Sequence, residues 1–182
     1  MRVIGVVGYP ASGKGEFSRV AAASGIPVVV MGDVIRREAA KAGLGTSDAA
    51  LGEMAIRLRR ERGMDAIALL TIEDVEALRA PLLLIDGLRG DAEVKRFRER
   101  FTGFLLVGIV SDFGSRLARS SARGRSDDLS RAEDLRNRDR REEGFGLARA
   151  LAEADRVLEN NGTLQEFETK ARTLLDEIRE GT

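Results

Sequence analysis

The stretch Gly8-Tyr9-Pro10-Ala11-Ser12-Gly13-Lys14-Gly15 decides the fold, because it spaces two glycines and a lysine as a phosphate-binding loop does. It follows an apolar run, Arg2–Gly8, that indicates a buried strand, and it leads into a helical pattern, Gly13–Ser24. Glycines let the backbone curl so that its N–H groups point at one anion, and the helix start adds partial positive charge. The stretch therefore predicts that loop amides and the Lys14 side chain bind the phosphates of a nucleotide.

The residues after the lysine depart from the usual motif, in which a Ser or Thr hydroxyl binds Mg²⁺. Here Gly15 and Glu16 follow Lys14, so that hydroxyl is missing. Ser12, Ser18 or water could replace it, or Glu16 could hold the metal through water. The way in which the metal is held stays open on the sequence alone.

A second motif, Leu82-Leu83-Leu84-Ile85-Asp86-Gly87, ends a buried run with an acidic residue. An acidic residue at the end of such a strand is the expected partner of a phosphate-binding loop, because it holds Mg²⁺ directly or through water. We therefore predict that Asp86 organises Mg²⁺ beside the bound nucleotide.

Short apolar runs alternate with longer helical patterns along the whole chain. Besides the first strand, the predicted strands are Ile26–Met31, Leu82–Asp86, Phe104–Val110 and Arg156–Leu158. Runs that are apolar on both faces suit parallel strands covered by helices on each side. We predict an α/β fold, with a five-stranded parallel sheet and helices on both faces. The single domain would have a core of residues 1–32, 81–114 and 150–182, and helical insertions at 33–80 and 115–149.

Composition excludes several kinds of chemistry. The chain of 182 residues has no Cys, His or Trp, so it offers no disulfide, thiol nucleophile, histidine base or Cys/His zinc site. Its formal net charge is zero, which argues against nucleic-acid binding through a generally basic surface. No apolar run approaches the roughly 20 residues that span a bilayer, and the N-terminus lacks a signal-peptide pattern. We therefore expect a cytoplasmic protein without membrane contact.

Three segments resemble adenylate kinases: Gly25–Pro27, Met31–Arg36 (MGDVIR) and Asp86–Arg89 (DGLR). Over nearly its whole length the chain more closely resembles an archaeal family of adenylate-kinase-related P-loop proteins. The C-terminal segment Ala154–Phe167 is also similar to a pattern of dephospho-coenzyme A kinases. The resemblance implies a P-loop fold of the nucleoside-monophosphate-kinase type, with an acceptor-binding insertion at 33–80 and a lid at 115–149.

The same resemblance implies roles for residues of the first insertion and the strand after it. Arg36 and Arg89 match arginines that grip the acceptor's phosphate, a task that suits the bidentate guanidinium group. Asp33 matches an aspartate beside the acceptor site. It would either orient the acceptor or take its proton.

In the predicted lid, five arginines are candidate phosphate clamps: Arg119, Arg123, Arg125, Arg138 and Arg141. Phosphoryl transfer is catalysed mainly by positioning and by electrostatic stabilisation, so an Arg-rich lid would supply both and expel water. The alternative is a solvated helix with internal ion pairs.

The segment Asn160–Thr163 joins the last strand to the last helix, where related kinases hold the adenine ring. Asn161 and Gly162 are therefore candidate nucleotide contacts, mostly through their backbone. Thr163 with Glu166 forms a capping-box pattern that predicts the start of the last helix.

The leading functional hypothesis is an ATP-dependent kinase that uses Mg²⁺ and phosphorylates a small phosphate-bearing nucleotide, with nucleoside monophosphates as the first candidates. Dephospho-coenzyme A is the second candidate acceptor. A different class, an adenylate-kinase-like ATPase that acts as a switch or assembly factor, stays open, as does a nucleotide-binding module without turnover. The oligomeric state is expected to be a monomer or a homodimer.

Overall fold

The computed structural model describes residues 1–123 and 132–181. Within them, five parallel strands form one sheet in the order β2-β3-β1-β4-β5. The strands are β1 Arg2–Val7, β2 Val28–Val30, β3 Leu82–Leu88, β4 Gly103–Val110 and β5 Arg156–Glu159. The predicted α/β class and the five-stranded parallel sheet are confirmed.

Nine helices are found in the described residues. They are α1 Lys14–Ala23, α2 Met31–Lys41, α3 Asp48–Arg62, α4 Ala66–Ala77, α5 Asp91–Arg100, α6 Phe113–Arg123, α7 Ala132–Glu143, α8 Leu147–Ala152 and α9 Leu164–Glu180. Helices α2 to α4 fall between β2 and β3, and α6 to α8 between β4 and β5. These are the two places where the sequence predicts insertions, although the division into core, acceptor region and lid stays a prediction.

The core has two layers because successive side chains of a strand point to opposite faces of the sheet. In β1, Val3 and Val7 pack on the side of α2 to α5 and α8, whereas Ile4 and Val6 pack against α1 and α9. All four are at most 1% exposed. Burial on both faces explains why the strands are continuous apolar runs without a polar alternation.

Strand β3 extends beyond its predicted end at Asp86. It continues to Leu88 through Gly87, whose φ of +101° favours glycine, and the register with β1 shifts between Val6 and Val7. The irregularity lies directly after Asp86, at the edge of the sheet where the phosphate-binding loop begins. A periodicity argument does not detect it, because an irregular strand end keeps the same apolar run.

The last helix begins as predicted. Thr163 accepts a hydrogen bond from the backbone N–H of Glu166, and the Glu166 carboxylate accepts one from the backbone N–H of Thr163 at 2.7 Å. In the described ranges, none of the helices combines the length and apolar character needed to cross a lipid bilayer.

Candidate functional site

A cavity of about 260 Å³ opens where the carboxyl ends of β1, β2 and β3 meet α1 and α2. Ligands of parallel α/β sheets bind in this kind of crevice. Its charged lining comes from six segments and consists of Lys14, Arg36, Arg59, Asp86, Arg89, Glu93, Arg138 and Glu142. Among the described residues, five of these side chains are cations and three are carboxylates. The fold thus brings the loop lysine, the strand-end aspartate and both acceptor arginines of the sequence prediction to one cavity.

The phosphate-binding loop is held in a conformation that its residues are suited to adopt. Gly13 has a φ of +115°, and an added Cβ there would collide with the Asn160 side-chain amide. That amide donates a hydrogen bond to the Ser12 carbonyl at 2.8 Å. Ala11 also has a positive φ, +59°. The loop is therefore braced from the β5–α9 connection, and its turn depends on glycine.

Helix α1 begins at Lys14, and no side chain caps its N-terminus. Gly13 is the N-cap residue, and its carbonyl accepts hydrogen bonds from the backbone N–H groups of Glu16 and Phe17, both at 3.0 Å. An uncapped helix start attracts anions, because its first N–H groups and the helix dipole both favour negative charge. The loop has the geometry to bind phosphate.

The Lys14 ammonium folds back over the loop. Its Nζ donates to the carbonyl of Gly8 at 2.5 Å and to that of Tyr9 at 3.0 Å. Desolvation by burial lowers the pKa of Lys14 to about 8, while the nearby charges of Glu142 and Asp86 act in the opposite direction. The ammonium is thus poorly solvated, and an anionic ligand in the cavity would stabilise its charge.

Asp86 lines the cavity near Lys14 but does not form a metal site alone. In the described part of the chain, no group of three or more acidic, His or Cys residues could hold a metal ion. Mg²⁺ is typically held by one or two carboxylates together with substrate phosphates and water. Asp86 fits this pattern. The Glu16 carboxylate, by contrast, contacts Arg19 and is not part of the cavity lining.

Two of the predicted acceptor residues, Asp33 and Arg36, form an ion pair on α2. The Arg36 Nε donates to Asp33 Oδ1 at 3.0 Å, and both side chains are exposed. Arg36 lines the cavity, whereas Asp33 does not. Asp33 therefore orients the guanidinium in this conformation.

Glu142 of α7 lies at the centre of the cationic side of the cavity. Its Oε1 accepts a hydrogen bond from Arg89 Nη1 at 2.8 Å and one from Arg138 Nε at 3.4 Å. The side chain is only 4% exposed. Burial raises the pKa of Glu142, but the charges of Arg89, Lys14 and Arg138 outweigh it and lower the pKa overall. Glu142 is therefore ionised and offsets the cations where phosphates would bind.

The predicted clamp arginines separate into different places. Arg138 lines the cavity, whereas Arg141 lies against Gly52 of α3, where an added Cβ would be 3.3 Å from its Nη1. Arg123 ends α6 with its side chain outside the described structure, and Arg125 lies wholly outside the described residues. Of the two whose side chains are described, Arg138 lines the cavity with Lys14 and Arg141 does not.

Arg119 braces the chain behind the loop instead of lining the cavity. Its guanidinium donates to Ser111 Oγ at 2.9 Å and to the Asn160 backbone carbonyl. Asn161 Oδ1 accepts a hydrogen bond from the backbone N–H of Asp112 at 2.9 Å, and Gly162 packs against Glu166. These contacts hold the β5–α9 connection against the connection between β4 and α6.

A buried ion pair joins the predicted lid to the loop. Arg116 of α6 donates to both carboxylate oxygens of Asp139 of α7, at 2.9 and 2.8 Å, and to the Pro10 carbonyl at 3.2 Å. Its guanidinium also lies 5.1 Å from the centroid of the Tyr9 ring. The Tyr9 hydroxyl donates to Glu143 at 2.8 Å, and burial with this bond raises the pKa of Tyr9 to about 12.

A second buried ion pair, Arg59–Glu93, also lines the first cavity. Arg59 Nη2 donates to Glu93 Oε1 at 2.6 Å, and the backbone N–H of Arg89 donates to Glu93 Oε2 at 2.7 Å. Arg59 and Glu93 have side chains only 4% and 0% exposed. The Arg59 guanidinium stacks on the Phe145 ring at 4.2 Å. The pair therefore fixes the backbone that presents Arg89.

Sequence reasoning missed Glu142, Glu93, Arg59, Arg116 and Asp139. The spacing of Arg138 and Glu142, four residues apart on a helix, could have predicted their contact. The others pair with residues of distant segments. Nothing in the local pattern distinguishes them from charges on a solvated helix.

A second cavity of about 120 Å³ adjoins the first. Its lining consists of Gly32, Ile35, Arg36, Leu51, Gly52, Ala55, Arg89, Arg138, Arg141 and Phe145. Five of these residues, including three arginines, also line the first cavity. The two cavities are therefore neighbouring parts of one larger site.

Comparison with known proteins shows which family this chain resembles. A family model described as an AAA domain matches residues 7–136. A UPF0200 protein from Methanoregula boonei is 58% identical over 175 residues, which cover 96% of each chain. A UPF0200 protein from Methanoculleus marisnigri is 54% identical over the same share.

The fold is that of P-loop kinases. The structure of a dephospho-CoA kinase from Campylobacter jejuni superposes with a TM-score of 0.64 at 15% identity, and covers 100% of this chain and 99% of its own. At this identity the likeness concerns the fold alone. Because the AAA-domain model matches most of the chain and close relatives align along almost its whole length, this chain belongs to the UPF0200 family of P-loop proteins.

Proposed function

We propose that this protein is an ATP-dependent kinase that uses Mg²⁺ and phosphorylates a small acceptor bearing its own phosphate. The observation that carries the proposal is the shared cavity: Lys14 and the uncapped α1 lie in it with Arg36 and Arg89, which come from different segments. A protein that only binds a nucleotide needs Lys14 and the helix start but not the two arginines. Arg36 and Arg89 support a binding place for a second anionic reactant.

The roles follow from position. Lys14 and the loop amides bind the donor's phosphates, and Asp86 would hold Mg²⁺ together with those phosphates. When bound, Mg²⁺ offsets the charge that develops on the transferred group. Arg138 lines the same cavity and stabilises the same negative charge. Arg36 and Arg89 hold the acceptor's phosphate, with Asp33 orienting Arg36.

The acceptor class is proposed from the same residues. Two guanidinium groups suit the bidentate recognition of one phosphate. Nucleoside monophosphates are the first candidates and dephospho-coenzyme A is the second.

The purified protein would be given ATP, Mg²⁺ and each acceptor in turn, and the formation of ADP and of the phosphorylated acceptor would be measured. Acceptor-stimulated turnover supports a kinase. Slow hydrolysis that no small acceptor changes, but RNA or a protein partner accelerates, supports a switch ATPase.

The Lys14→Ala variant tests the donor side. We expect it to lose ATP turnover by at least about 100-fold, because removal of an electrostatic stabiliser of the transition state has effects of this size. Circular dichroism should show an intact fold, since the described hydrogen bonds of the Lys14 ammonium go to loop carbonyls. Lys41→Ala is the matched control: Lys41 pairs with Glu38 on the surface of α2. Unchanged turnover in Lys14→Ala would remove the central claim.

A further inference from the structure

The second cavity has a charge pattern different from that of the first. Among the residues that the structure describes, its lining includes Arg36 from α2, Arg89 from the segment after β3, and Arg138 and Arg141 from α7, and no carboxylate. Asp33 and Glu142, which contact three of these arginines, lie outside this lining. They offset part of the charge but do not occupy the space. The electrostatic interactions in the second cavity therefore favour the binding of anionic groups and disfavour the binding of cationic groups.

The uncharged part of the lining is apolar. Ile35, Leu51, Ala55 and Phe145 supply the surface, and Gly32 and Gly52 add no side chain. Within the described ranges, no side-chain hydroxyl, amide or carboxylate is among the lining residues, so the side-chain polar groups of this lining are all guanidinium donors. Such a lining matches a ligand group that only accepts hydrogen bonds, as a carboxylate or phosphate does. It does not match the mixed donors and acceptors of a base edge or a sugar hydroxyl.

The position of Arg141 distinguishes this cavity from the donor side. Arg141 lines the second cavity but not the first, and its guanidinium lies against Gly52 of α3. Arg36 and Arg89 line both cavities. A ligand that extends from the first cavity into the second can therefore contact these two arginines and Arg141 at once.

We propose that the acceptor carries two separate anionic groups, and that the second one binds in the second cavity against Arg141. The acceptor's first phosphate lies between Arg36 and Arg89, as in the proposed function on which this inference rests. Arg141 is then a specificity-determining residue for the acceptor and not a clamp on the transferred phosphoryl group. A monophosphate without a second anion leaves the Arg141 subsite unfilled.

The test measures binding by calorimetry to protein saturated with Mg²⁺ and a non-hydrolysable ATP analogue. Two matched pairs of probes are compared: glycerol 3-phosphate with 3-phosphoglycerate, and AMP with adenosine 3′,5′-bisphosphate. Each pair differs mainly by one added anionic group. We expect the two-anion member of at least one pair to bind about 10-fold more tightly to the wild-type protein. This advantage should disappear in Arg141→Gln and return in part in Arg141→Lys.

Arg140→Gln is the control, because Arg140 lies on the same helix but is exposed and contacts Asn137. It should keep the full advantage of the two-anion probe. Absence of any advantage in both pairs, or an advantage that Arg141→Gln leaves unchanged, overturns the inference. Binding of the ATP analogue is measured first. If the analogue does not bind, the proposed kinase function is refuted. If the analogue binds but neither two-anion probe binds more tightly than its partner, only the inference about the acceptor is refuted.

Discussion

At the scale of single residues, Lys14 shows how a charged group is prepared for its ligand. Its ammonium contacts two loop carbonyls in a poorly solvated position, and its pKa falls from 10.5 to about 8. A bound polyphosphate supplies the negative charge that this position lacks. The stabilisation of the charged lysine therefore comes from the ligand and only partly from the protein.

This position predicts a pH dependence of nucleotide binding. Because the lysine must be charged to hold phosphates, ADP affinity should fall as the pH rises through about 8, rather than near the ordinary value of 10.5. Above pH 8 the free protein has lost the proton, so binding must take it up, and affinity declines by up to about 10-fold per pH unit. Calorimetry at pH 7 and 9, in buffers of different ionisation enthalpy, measures the uptake.

Lys14→Arg provides the comparison, because a guanidinium keeps its charge throughout this range. Its ADP affinity, even if weaker, should be independent of pH between 7 and 9. Tyr9, whose pKa is raised to about 12, does not titrate in this window. If the ADP affinity of the wild-type protein is also independent of pH between 7 and 9, the Lys14 ammonium does not control binding.

At the scale of elements, α7 is fixed to the rest of the protein by charged groups. Glu142 contacts Arg89 after β3, and Asp139 contacts Arg116 of α6. Only Leu135 and Glu142 of this helix are buried. Apolar burial therefore contributes little to the attachment of α7. A phosphate-bearing ligand that competes for Arg89 and Arg138 thus changes the interactions that hold this helix.

The Glu142→Gln variant tests this competition. It keeps the side-chain shape but removes the charge that offsets Arg89 and Arg138, so the free protein should lose about 1–3 kcal/mol of stability. The same change leaves the cavity more positive, and ADP should bind about 10-fold more tightly. Urea unfolding and calorimetry measure the two effects.

Glu133→Gln, an exposed substitution in the first turn of the same helix, should change neither quantity appreciably. The informative contrary result is a Glu142→Gln protein that binds ADP more weakly. That result would mean that Glu142 positions the two arginines for the ligand and does not compete with it.

At the scale of the whole molecule, the Arg59–Glu93 pair connects three parts of the chain. It joins α3 to α5, holds the backbone N–H of Arg89, and stacks Arg59 on Phe145. Both side chains of the pair are almost completely buried. The segment that carries Arg89 is therefore held in place by charges that are shielded from water.

Glu93→Gln should lower the free energy of unfolding by about 3–5 kcal/mol, because it leaves the Arg59 charge buried without a counter-charge. The melting temperature should fall by roughly 10 °C, at about 2–4 °C for each kcal/mol in a chain of this size. Scanning calorimetry measures the change. Glu99→Gln, which removes an exposed pair with Arg96 on the same helix, should cost less than about 1 kcal/mol. Equal effects would show that burial of the Glu93 pair does not matter.

The sequence by itself determined the parallel α/β sheet, the phosphate-binding loop and the strand-end Asp86. These features depend on short-range patterns: doubly buried strands are continuous apolar runs, and a loop that curls around an anion needs glycines at fixed spacing. The family resemblance added Arg36, Arg89 and Arg138, which the fold brings to the same cavity.

Only the tertiary structure decided which charges meet. Arg119 braces the β5–α9 connection, Arg141 lies at the second cavity, and Glu142 is buried among cations, although all three belong to one stretch of mixed charges. The physical reason is that the energy of an electrostatic interaction depends on how deeply the charged group is buried and on which charges surround it. Those partners come from segments far apart in the chain, so one-dimensional spacing does not contain them.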